Sequence, residues 1–76
     1  MDNLLKKNKI TDREKEVLML TIKGLSNSEI AEELTISVHT VKAHLESIYR
    51  KLNVHNKVQA SVSAVYNNFI NIEDVF

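Results

Sequence analysis

The sequence predicts an all-α fold, a four-helix bundle that contains a helix-turn-helix. Three observations carry that prediction. The chain has a single glycine, Gly24, and no proline, and 43% of it is apolar, so few residues break a helix backbone. A capping residue followed three positions on by an acid or amide recurs along the chain, which is how helix starts are written. Over residues 38–52 apolar side chains return at three- and four-residue steps, the period of a helix with one buried face.

Seventy-six residues make one domain. Residues 1–9, polar and lysine-bearing, read as an arm or linker, leaving residues 10–76 as the folded domain. In "TDREKEVLMLTIKGL" Thr11 is placed as N-cap with Glu14 closing a capping box, and Gly24 as the C-cap, giving a first helix over about 12–23. In "LSNSEIAEEL" Ser26 caps, Glu29 closes the box and Leu25 staples onto Ile30, for a helix over 27–34. Ser37 caps the third helix, with Ile36 and Val41 as its staple. Asn56, with Gln59 as box partner, opens a fourth helix over about 57–67. The second and third helices, closely linked and the latter longer, form the helix-turn-helix pattern. The tail "FINIEDVF" is apolar enough to fold back on the bundle.

On the third helix Val38, Val41, Leu45, Ile48 and Leu52 form the buried stripe. At about 100° per residue, His39, Lys42, Ala43, Glu46 and Arg50 fall on the opposite side. Ala43 is small and central there, so the backbone could approach a partner closely; an ordinary solvated face is the competing reading. The fourth helix has Val58, Val62 and Val65 on one side and Ala60 and Ala64 on another. One face suffices for its own core, leaving the other for a partner.

The composition excludes several function classes. Without cysteine there is neither a disulfide nor a thiolate metal site, and His39, His44 and His55 lack partners at ligand spacing, so we expect no metal and no cofactor. No catalytic triad, paired acid or glycine-rich phosphate loop is present, which argues against an enzyme. The apolar runs are too short and too interrupted to span a membrane or form a secretion signal, so the expected setting is cytoplasmic. Formal charge is zero but segregated. Residues 26–34 hold Glu29, Glu32 and Glu33 and no base, whereas residues 37–57 hold Lys42, Arg50, Lys51 and Lys57 against Glu46 alone. A local positive face therefore exists on a neutral chain.

The blocks "TDREKEVL", "GLSNSEIAEEL", "ISVHTVKAHLESIYRKLNV" and "NKVQA" together resemble the LuxR-type helix-turn-helix domain. It is the output domain of NarL-like and FixJ-like response regulators of two-component systems, and of the stand-alone regulator GerE. The resemblance covers about residues 10–66 and implies a bacterial domain that binds double-stranded DNA as a homodimer. It also implies an upstream receiver domain or RNA polymerase as further partners. Carried over by position, Glu14, Leu18, Gly24, Ile30, Ala31, Leu34 and Ile36 match scaffold positions. Lys42 and Ala43 match positions that touch base edges in the major groove, and Glu46 holds the third such position. Thr40, Lys51 and Lys57, with the amides around Ser26 and Asn27, match phosphate-contacting or neighbouring positions. Val58, Ser61, Val62 and Val65 match the dimerisation face.

Two positions depart from the family pattern. Family members often carry a base or asparagine where this chain has Glu46, a carboxylate that could accept from cytosine N4. At Thr35, often glycine in helix-turn-helix units, a β-branched residue predicts ordinary rather than left-handed backbone. Beside the DNA readings stand blander ones. Arg50 is either a phosphate contact or a solvent-facing or intramolecular pair. His44 reads as a partly buried structural histidine, His55 as a loop residue, and the glutamates of the second helix as a solvated face. Competing functions are promoter reading of the sigma-factor region-four kind, and a protein-interaction module or antagonist of the same fold that does not bind DNA itself.

Overall fold

A computed structural model describes residues 9–75. Apart from exposed Lys9, the expected arm lies outside the described residues. Four α-helices follow in order: α1 (Asp12–Ile22), α2 (Asn27–Leu34), α3 (Val38–Leu52) and α4 (Lys57–Tyr66), then a short 3-10 turn (Ile72–Asp74). No strand occurs among the described residues.

The helix starts follow from local chemistry. Glu14 N–H donates to Thr11 Oγ1 at 3.1 Å while Thr11 N–H donates to Glu14 Oε1 at 2.9 Å. Ser26 and Glu29 repeat that exchange at 2.8 and 3.1 Å, so each pair satisfies amides that have no carbonyl a turn earlier. Ser37 Oγ accepts from Thr40 N–H at 3.0 Å. Asn56 Oδ1 accepts from Gln59 N–H at 2.9 Å, but the returning bond differs from the expected box. Gln59 Oε1 takes the amide of His55, at 2.8 Å, rather than that of Asn56. The longer reach pins the loop one residue before the cap.

All four α-helices end alike. Gly24, Thr35, Asn53 and Asn68 have φ of 97°, 56°, 55° and 61°. Each is followed by an apolar residue whose amide reaches five residues back: Leu25 to Leu20 at 3.1 Å, and Ile36 to Ala31, Val54 to Tyr49 and Phe69 to Ala64 at 2.9 Å. These are Schellman closures. Thr35 corrects the expectation of ordinary backbone. Left-handed conformation costs a residue with a β-carbon about 1–2 kcal/mol, and more where the β-carbon is branched. Here that cost is offset by two terminal hydrogen bonds, Thr35 N–H to Glu32 O and Ile36 N–H to Ala31 O, and by the packing of Ile36 against the core. Leu25 and Ile36 each stand directly before the cap of the next helix, Ser26 and Ser37, and pack against the core, so the turns at 24–26 and 35–37 are short.

Helix α3 is the centre of the bundle, packed against α1, α2 and α4. Val17, Leu18, Ile30, Val41 and Ile48 are fully buried, with Leu45 beside them. Ala60 and Ala64 are the buried residues of α4, so this helix meets the core through a methyl-sized face. The tail does return to the bundle: Ile70 and Val75 are buried and join the same core.

Candidate nucleic-acid interface

The α2–turn–α3 unit holds one long face of α3 clear of the core. Val41, Leu45 and Ile48 are buried, whereas His39, Lys42, Ala43, Glu46 and Arg50 are all exposed. The Ser37 cap and the left-handed closures at Thr35 and Asn53 fix both ends of this helix. Thr40 is half-buried, its hydroxyl 2.9 Å from Ser37 Oγ. His44 is half-buried beside the stripe.

The four cations of this region divide into two kinds. Lys51 turns inward: its Nζ lies 2.7 Å from Oε1 of Glu14, a residue that is only 4% exposed. Burial alone would raise the Glu14 pKa. Hydrogen bonds from Lys51, the Ser47 hydroxyl and the Thr11 amide, with the Lys51 charge, outweigh burial and lower it from 4.5 to about 2. Lys51 is thus drawn into an ion pair between α1 and α3 and is not brought to the exposed face of α3. Lys42 and Arg50 take part in no ion pair among the described residues.

Lys57, the first residue of α4, donates from Nζ to Asn27 Oδ1 at 2.8 Å. This bond between neutral and charged groups ties the N-termini of α2 and α4 together and leaves the ammonium its charge. The Ser26 amide, by contrast, is occupied by the Glu29 carboxylate. That same bond with the Ser26 amide, and the Ser26 hydroxyl, hold the Glu29 carboxyl below its ordinary range. The Glu29 amide is likewise taken up by Ser26 Oγ, and the remaining first-turn amides of α2 are those that lack a carbonyl one turn earlier.

Sequence reasoning missed the Glu14–Lys51 and Asn27–Lys57 bonds, which join residues 37 and 30 positions apart. On α4, Val58 is 73% and Val62 64% exposed, Ser61 and Val65 are half-buried, and Tyr66, 83% exposed, continues the ridge beyond them. Shallow grooves flank that ridge, one lined by Leu25, Ser26 and Lys57, the other by Val54, His55 and Tyr66. Among the described residues no helix is long and apolar enough to cross a membrane.

The family described as "Bacterial regulatory proteins, luxR family" matches residues 8–64. The chain belongs to that family. This LuxR-family domain is 43% identical over 70 residues to the "Transcriptional regulatory protein LiaR" of Bacillus subtilis, covering 92% of the chain and 33% of that protein. Against the "Nitrate/nitrite response regulator protein homolog" of Haemophilus influenzae it is 53% identical over 53 residues, or 70% of the chain and 26% of that protein. Against the "Response regulator protein VraR" of Staphylococcus aureus it is 44% identical over 61 residues, or 80% and 29%. The LuxR-family domain therefore spans a third or less of these relatives. The family is one of transcription regulators and not of enzymes.

Proposed function

We propose that this LuxR-family domain binds a specific site on double-stranded DNA with α3 in the major groove. The observation that carries the reading is the face of α3 opposite the core, where exposed His39, Lys42 and Glu46 surround the methyl of Ala43. A single exposed helix face suits the major groove, which admits one helix and presents a distinct pattern at each base pair. In this reading Lys42 and Glu46 meet base edges, Ala43 permits the approach, and His39 and Thr40 lie at the entry of the helix. Lys57, oriented by Asn27, and the first-turn amides of α2 next to Ser26 hold phosphate. Arg50 reaches the backbone further along. Lys51 serves the fold instead, because its charge is already matched by Glu14.

With Lys51 committed, few unpaired cations face the duplex. Non-specific affinity, which scales with phosphates neutralised, is accordingly small for a DNA-binding domain. Pairing of two copies through Val58, Ser61, Val62 and Val65 compensates, placing two α3 helices in major grooves about 34–36 Å apart. The exposed ridge is small, so pairing happens on DNA rather than in free solution. The likeness to response regulators supports an upstream receiver domain in the complete protein. Sites selected from random DNA, then titrated with wild type and Lys42→Ala, test the reading. Loss of about 1–3 kcal/mol in the variant is expected, and equal affinity would refute it.

A further inference from the structure

We infer that the groove between α1 and the end of α2 docks a cationic amphipathic helix from a partner protein. The groove, of about 250 Å³, is floored by Met19, Leu20 and Leu34 and walled by Glu16 and Glu33. It runs on, through the shared Glu33, into a second hollow lined by Leu25, Glu29, Glu32 and Glu33. No residue of α3 or α4 lines either hollow. The second hollow borders the groove beside the α4 ridge, with which it shares Leu25 and Glu29, whereas the first, between α1 and the end of α2, shares no residue with it.

The occupant follows from charge and shape. Every charged side chain lining the two hollows is a glutamate. Glu16 is paired at 3.6 Å with Arg13, while Glu29, Glu32 and Glu33 take part in no ion pair among the described residues. Met19, Leu20, Leu25 and Leu34 pack on the core with part of their surface still open. Nucleic acid and anionic lipid are repelled by such a rim. A helix carrying two apolar residues a turn apart, flanked by lysine or arginine, fills the floor and pairs with the walls. Methionine at the floor adapts to more than one aliphatic anchor. The inference goes beyond the DNA-binding reading and stands without it.

The test is an amide NMR titration of the full chain with a helical peptide of about 14 residues, bearing leucines four apart and lysines beside them. Its controls replace either the leucines by serine or the lysines by glutamate. Expected are saturable shifts at Met19, Leu20, Glu33 and Leu34 with the leucine–lysine peptide alone. Binding should weaken at least about tenfold in a Glu16→Gln, Glu32→Gln, Glu33→Gln variant. That variant keeps its affinity for a selected DNA site within about threefold, since its acids lie on α1 and α2 and not on α3. The inference is overturned if no peptide binds saturably, if the serine control binds as well, or if the shifts centre on α3 or α4. Self-association of the free chain that the variant abolishes would make a second copy the occupant. Peptide binding seen only after removal of residues 1–8 would make the chain's own terminus the occupant. Either result also overturns it.

Discussion

Replacing Lys51 with methionine removes a charge and keeps most of the side-chain volume. The variant separates a structural lysine from a DNA-contacting one. In the structure Lys51 Nζ sits 2.7 Å from the Glu14 carboxylate, with side-chain exposures of 20% and 6%. Glu14 ionises at about 2 in the fold against 4.5 ordinarily. That difference corresponds to on the order of 3 kcal/mol of stability at neutral pH. Because the folded value is the lower one, the contribution is complete above 4.5 and fades as pH falls towards 2. Lys51→Met leaves a buried carboxylate facing a thioether, and a loss of about 2–4 kcal/mol is expected at pH near 7. In a domain of this size that lowers the melting temperature by roughly 10 °C or more. Thermal melts across the acid range would show the wild type losing stability as Glu14 protonates and the variant losing much less. A variant that melts with the wild type and keeps its acid sensitivity would refute the ion-pair account. So would a Lys51→Met protein of unchanged stability with DNA affinity reduced as much as by Lys42→Ala.

Further outcomes follow from the same geometry. Thr35→Gly relieves the left-handed strain and should raise stability by about 1 kcal/mol, read as a higher urea midpoint; an unchanged or lower midpoint would mean that the threonine is not strained. Val62→Asp should change stability by no more than about 0.5 kcal/mol yet abolish cooperative occupancy of paired half-sites, whereas unfolding would place Val62 in the core. Glu46→Gln should relax preference at one base pair if the carboxylate reads cytosine. Tighter binding to all sequences alike would show simple repulsion instead.

The parts of this fold legible in the sequence are those written within a few residues. Thr11 with Glu14, and Ser26 with Glu29, announce their helices because cap and partner stand three positions apart. The stripe Val41, Leu45, Ile48 likewise gives the buried side of α3, and with it the exposed one. Thr35 departs from the expectation because residue type argues against left-handed backbone, while the bonds that enforce it come from the helix it ends. Its signal lay in Ile36, the apolar residue after the turn, as with Val54 after Asn53 and Phe69 after Asn68. Long-range pairs leave no local trace. Lys51 looks like any cation of the α3 face until the fold brings Glu14 to it, and Lys57 gives no hint of Asn27. The tail is a similar case, since Ile70 and Val75 find their place only in the core that the helices assemble.

In this proposal the exposed face of α3 reads DNA sequence, and Lys42 probes it best because it is exposed and takes part in no ion pair among the described residues. The decisive measurement is the affinity of wild type and Lys42→Ala for a selected site and for a scrambled duplex, at two salt concentrations. The account predicts that the variant folds as the wild type does and loses about 1–3 kcal/mol on the selected site. On the scrambled duplex it should lose less, so that the ratio between the two duplexes narrows. Equal loss on both duplexes would make Lys42 a phosphate contact only, and no loss on either would remove α3 from the interface.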